Sequence, residues 1–191
     1  MSNPLTFGTA MIYTRKGDSG LTDLANGLRV PKTDARIECV GSLDEFNSYI
    51  GLVLSLVPGH IRTKLRNEIS LLETCQRRLF SIGTWASAIT NPQAMPNNED
   101  VQQLEAAINN IQTEIGTAFN GFIMPGGHTL AAHTHVARTL CRRTERTLLA
   151  AGAANWPEGE QTLPYINRLS DFLYLLAKKI NHLTDFTENK W

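Results

Sequence analysis

The chain has 191 residues, which suits one domain with a sizeable core. Its 18 basic and 18 acidic side chains cancel, which argues against nucleic-acid or membrane-surface binding through bulk charge and makes any anion site a local one. No apolar run approaches the ~18 residues of a membrane span, and the opening MSNPLTFGTAMIYTRKGD lacks the basic start and apolar core of a signal peptide, so a cytoplasmic protein is expected.

Residues 1–33 show no helical period and no strand alternation, and are expected to form an irregular segment. They contain Thr14-Arg15-Lys16-Gly17-Asp18-Ser19-Gly20-Leu21-Thr22, followed by Arg29-Val30-Pro31-Lys32. Two glycines, hydroxyls at both ends and two adjacent cations suit a loop that aims N–H groups at phosphate. It is not a Walker A loop, because Gly-Lys-Ser/Thr is missing and no helix follows at once. A plain polar turn is the alternative reading.

Five helical patterns follow, and the expected fold is all-α, a five-helix antiparallel bundle over residues 34–186 in a single domain. The first runs from about Ala35 to Val57, with Ile37, Val40, Leu43, Phe46, Ile50, Val53 and Val57 at spacings of three and four. Pro58-Gly59 ends it, and Asp44 sits at the edge of its core face. The second spans about Ile61 to Ala88, with Ile61, Leu65, Ile69, Leu72, Leu79 and Ile82 inward. After a Pro/Asn-rich loop, Asn98 is a candidate cap for the third, with Glu99 and Asp100 in its first turn.

The fourth begins near His128, after the turn Pro125-Gly126-Gly127, and ends near Ala151-Gly152. Ala137, Leu140, Cys141, Thr144 and Leu148 share one face. Arg138, Arg142 and Arg146 line the adjoining flank at i, i+4, i+8. Like charges at that spacing are mutually unfavourable, and a polyphosphate would relieve them, since guanidinium forks match phosphate oxygens. On the helix alone, the reading to prefer is a solvated basic flank held by Glu145 and carboxylates on other helices. The fifth helix starts near Pro164, with Ile166, Leu169, Leu173, Leu176, Ile180 and Leu183 inward and Asn167, Arg168 and Asp171 on its flanks.

Cys39, Cys75 and Cys141 are isolated within helical patterns and are expected to be buried, reduced thiols. His60, His128, His133, His135 and His182 form no recognisable metal motif.

Taken together, TRKGDSGLT, RVPK, GSLDEFNS, FIMPGG, HVARTLCRRTER and YINRLSD, in this order, resemble the PduO-type ATP:cob(I)alamin (corrinoid) adenosyltransferases. The resemblance runs from about Tyr13 to Leu183. It implies a homotrimer with sites between subunits. It also implies transfer of the 5′-deoxyadenosyl group of ATP to cob(I)alamin, giving adenosylcobalamin and triphosphate. Mg²⁺ would be held mainly by the ATP phosphates.

Carried over by position, the family's nucleotide contacts fall on Thr14, Arg15, Lys16, Gly17, Gly20, Thr22 and Asp23 in the loop segment. They also fall on Lys32, on Arg142, Arg143, Glu145 and Arg146, and on Asn167. The corrin-side phenylalanine falls on Phe122, which without the resemblance reads as a core aromatic closing the bundle end. The interfacial acid–arginine pair falls on Asp44 and Arg138. A reductase and an adenosylcobalamin-dependent enzyme are implied partners. Thr144 departs from the family's usual alanine, and residues 1–12, 87–100 and the tail after Leu183 carry no diagnostic motif. The alternative reading is a non-catalytic, ATP-responsive cobalamin-delivery or sensor protein.

Overall fold

In the computed structural model, the residues described are 13, 15–87, 95–116, 123–156 and 159–190. They form a two-stranded hairpin and six α-helices: β1 (Leu21–Asp23), β2 (Arg29–Pro31), α1 (Ala35–Ser55), α2 (Gly59–Arg62), α3 (Arg66–Ala86), α4 (Asn98–Ile115), α5 (Thr129–Ala150) and α6 (Thr162–Leu183). The five long helices make the expected bundle. Side-chain pairings set its directions. Ser42 lies on Thr147 and Tyr49 on His133, so α1 and α5 are antiparallel. Glu145 meets Asn167, and the backbone N–H of His128 meets the Asn181 side chain, so α5 and α6 are too. Glu105 meets Arg168 and Glu114 meets Lys179, so α4 and α6 run parallel.

The central element is α6. Tyr165, Ile166, Leu169, Phe172, Leu173, Leu176 and Ile180 are buried on it. Phe46 and Ile50 from α1, Leu79 and Ile82 from α3, Leu104 and Ile111 from α4 and Leu130 from α5 pack into the same cluster. Each such side chain contributes roughly 1.5–3 kcal/mol by leaving water. Between α1 and α5 the seam is polar: Ser42 Oγ meets Thr147 Oγ1 at 2.6 Å, and Thr144 Oγ1 donates to the Ser42 carbonyl at 3.1 Å. Lys179 is buried but donates to Glu68 at 2.9 Å and Glu114 at 2.6 Å, which compensates its desolvation.

The structure corrects the sequence reading in four places. Residues 21–31 form a hairpin in which Leu21 pairs with Pro31, Thr22 with Val30 and Asp23 with Arg29. Three residues per strand, with Val30 alone buried, is too short a pattern to show alternation. The expected second helix is interrupted at residues 63–65, yet Ile61 and Leu65 are both buried, so the four-residue apolar spacing crosses the break unchanged. The cap of α4 is Asn97, one residue early, in a reciprocal capping box with Asp100. Helix α6 begins at Thr162, which puts Pro164 within the first turn, where no intrahelical N–H is required.

All three cysteines are free and fully buried. Burial pushes the Cys39 and Cys75 thiols up to about 12 and Cys141 well above its ordinary value. Cys75 Sγ accepts from Tyr165 at 3.1 Å, and Cys141 Sγ donates to the Ile166 carbonyl at 3.3 Å. No helix among the described residues is long and apolar enough to cross a membrane.

Candidate nucleotide and corrin site

The first group of site residues lies just ahead of α1. A reversal at Arg15, with φ of +59°, leads into turns closed by Asp18 N–H to Arg15 C=O and Gly20 N–H to Gly17 C=O. Among the described residues the N–H groups of Lys16, Gly17 and Ser19 have no acceptor, so the turn offers free donors to an anion. The hairpin carries Lys32 back onto it. Lys32 N–H donates to Gly20 C=O at 2.9 Å, and its ammonium lies where a side chain at Gly17 would begin, 3.2 Å from that position. Arg29 braces the same loop by donating to the Lys16 carbonyl and pairing with Asp23 at 3.0 Å. Asp23, expected at the nucleotide, is thus engaged by Arg29. Arg29 carries no sequence signal of this role, because only the hairpin sets Asp23 opposite it.

The second group lies on facing surfaces of α5 and α6. Asn167 Nδ2 donates to Glu145 at 3.2 Å, and Asn167 Oδ1 accepts from Arg168 at 3.0 Å. Arg168 also pairs with Glu105 at 2.9 Å. Arg146 donates to the Arg142 carbonyl at 2.9 Å. The Arg142 guanidinium has no ion pair among the described residues. Burial raises the Asp171 carboxyl, with Arg168 and Arg142 working against that shift. Arg142, Glu145, Arg146, Asn167 and Asp171 therefore form one charged and amide-bearing surface. Arg143 is not part of it, because its guanidinium turns to Glu45 on α1.

Asp44 and Arg138 are not joined within the chain. Asp44 is exposed on α1, at a concavity of about 420 Å³ lined also by Ala25, Val40, Asn47, Leu79 and Phe80. Phe80 is 68% exposed there, and Asn47 Oδ1 is buried with no partner among the described residues. Arg138 is half-buried on α5, with its Nε unpartnered among the described residues; burial, then Arg142, lowers its proton affinity. Beside it, His135 is 3% exposed with both ring nitrogens unpartnered among the described residues, and burial holds it down to about 4. Thr14 and Phe122 lie outside the described residues. Among the described residues no group of three or more His, Cys, Asp or Glu gathers as a metal site.

The cobalamin adenosyltransferase family model matches residues 12–180. The chain belongs to this family. It is 40% identical over 177 residues to a corrinoid adenosyltransferase of Mycobacterium tuberculosis H37Rv, covering 89% of this chain and 88% of that protein. It is 35% identical over 187 residues to the cobalamin adenosyltransferase of Cupriavidus metallidurans, covering 94% and 93%. Among solved structures, it resembles a phenylalanine-to-alanine variant of the PduO-type ATP:corrinoid adenosyltransferase of Lactobacillus reuteri complexed with cobalamin and ATP. The TM-score is 0.83 at 31% identity, covering 95% of this chain and 99% of the other. An arginine-to-lysine variant of the same enzyme, complexed with ATP, gives a TM-score of 0.80 at 32% identity, covering 94% and 99%. The helical frame is thus that of a family member, and the hairpin ahead of α1 lies within the matched residues.

Proposed function

We propose that the protein transfers the 5′-deoxyadenosyl group of ATP to cob(I)alamin, releasing triphosphate and forming adenosylcobalamin. The observation that carries this reading is the family match over residues 12–180. The reduced cobalt is itself a strong nucleophile, so the chain needs alignment and charge stabilisation more than a catalytic acid or base. The leaving triphosphate develops charge that fixed donors can stabilise. Lys32, the free N–H groups of the loop and Arg142 suit that task, and Asn167 is placed to hydrogen-bond the nucleotide. Mg²⁺ would enter with ATP and be held mainly by its phosphate oxygens. Phe122 is assigned to the corrin side, where an apolar ring displaces cobalt's lower axial ligand and eases reduction.

The loop group stands with α1 and the arginine group with α5 and α6, and no described contact joins them. This supports a site completed between copies of the chain, as a homotrimer in which Asp44 of one copy pairs with Arg138 of the next. The site is proposed to work in the cytoplasm, fed by a reductase and supplying an adenosylcobalamin-dependent enzyme. The test is direct. Protein, ATP, Mg²⁺ and chemically reduced cobalamin should yield the light-sensitive adenosylcobalamin spectrum with one triphosphate per turnover. ATP binding without either product would leave only a delivery or sensing role.

A further inference from the structure

Asn181 stands in the last turn of α6 and is 2% exposed. Its amide oxygen accepts from the His128 N–H at 3.0 Å, and its amide nitrogen donates to the Gly126 carbonyl at 3.1 Å. Gly127, between those two bonds, has φ of +100°, and a Cβ built there would lie 2.2 Å from Asn181 Oδ1. The turn backbone is therefore seated directly on the amide, and glycine is required at its centre. The main-chain carbonyl of Asn181 works in the other direction: it accepts from the Phe186 N–H at 2.9 Å. Asp185, with φ of +54°, reverses the chain between them.

From Phe186 the tail returns to the same turn. The Phe186 ring meets the His128 ring edge-on at 6.5 Å. Met124 N–H donates to the Asn189 carbonyl at 2.8 Å, and Ile123 bridges Lys190. Glu188 pairs with Lys178, one turn before Asn181, at 2.5 Å. The connections close a ring from α6 through the tail to residues 123–128 and back to α6. An apolar side chain would fill this buried position at less desolvation cost. What a doubly bonded amide adds is fixed geometry between main-chain groups more than fifty residues apart in sequence.

We infer that Asn181 is a positioning residue that locks the Pro125-Gly126-Gly127 turn and the 185–190 tail into one unit, which sets the corrin-side wall of the site. The second half of this statement rests on the assignment of Phe122's segment to the corrin.

The experiment uses the full chain with Asn181→Ala and Asn181→Asp. The aspartate keeps an acceptor for His128 and removes the donor to Gly126. Hydrogen–deuterium exchange should quicken in residues 123–128 and 184–190 together, and stay unchanged in residues 15–32. The KM for cobalamin should rise about tenfold, the loss expected for one buried hydrogen bond. The KM for ATP should stay within about twofold, and the yield of four-coordinate cobalt(II), read by electron paramagnetic resonance, should fall. Ile111→Ala, a core change on α4, serves as a control at matched thermal stability. Loosening of only one segment would overturn the lock. A cobalamin KM that rises no more than in the control would overturn the positioning role. Loosening of both segments in a protein whose parent form makes no adenosylcobalamin would support the lock and overturn the corrin-side assignment.

Discussion

Arg142 and Arg143 are neighbours in sequence and lie on opposite flanks of α5. Arg143 meets Glu45 in an ion pair whose two side chains are about half exposed, and such a pair contributes at most about 1 kcal/mol. Arg142 has no such partner among the described residues and faces the Asn167 surface. Arg142→Ala should therefore weaken ATP binding or slow turnover by roughly tenfold to a hundredfold, the loss of one charge-assisted contact, while Arg143→Ala changes either by less than about threefold. Steady-state kinetics with ATP varied separates them. Equal losses would return both arginines to the nucleotide contacts that the family likeness implies. His135 supports a second prediction at this scale. Its folded-state value of about 4 is depressed below the ordinary 6.5, so between those values the unfolded chain binds more protons. Stability is then fully present above about pH 6.5 and is lost as the pH falls towards 4, by up to roughly 3 kcal/mol. Denaturant titrations at pH 7 and pH 4.5 should show this loss, and His135→Phe should reduce it.

At the scale of elements, the hairpin matters because it brings Lys32 against Gly17. A Cβ at Gly17 would lie 3.2 Å from the Lys32 ammonium. Gly17→Val should push that ammonium aside and raise the KM for ATP severalfold with little change in Tm. A fall in Tm with an unchanged KM would make the contact merely structural. Neither strand was legible beforehand, because strands of three residues carry no readable period. The long helices were legible because Leu43, Phe46, Ile50 and Val53, or Leu169, Leu173, Leu176 and Ile180, mark one face each. The Asn181 lock escaped the sequence for a different reason. A single amide in a helical stretch has no local signature, and its partners Gly126, His128 and Phe186 come together only in three dimensions. The likeness to a known family supplied Asp44, Arg138 and Phe122, which spacing alone left ambiguous.

For the whole molecule, Asp44 and Arg138 matter together, because they do not meet within the chain. Asp44 lies exposed beside Phe80 at the α1–α3 concavity, and Arg138 has a buried Nε on α5 with no partner among the described residues. Pairing between copies would meet both needs and would bring the loop group of one chain to the arginine group of another. Removing one member of a desolvated pair costs roughly 3–5 kcal/mol. Asp44→Asn should therefore shift sedimentation from the proposed trimer towards smaller species, or raise the KM for cobalamin. Arg143→Ala, at an exposed pair, should do neither. Monomeric parent protein with full activity would rule out a shared site.

The fate of the three sulfurs gives the molecule a practical property. Cys39, Cys75 and Cys141 are sealed in the bundle and held protonated. A thiol reagent acts on thiolate that it can reach, so it should find none in the native chain and three in denaturant. A single cysteine introduced on the surface, at Ser48 for instance, would then be the one reactive group per copy. Spin labels or fluorophores could be attached there without first stripping the native cysteines. Distances between copies could then be measured on a protein whose interior sulfur is untouched.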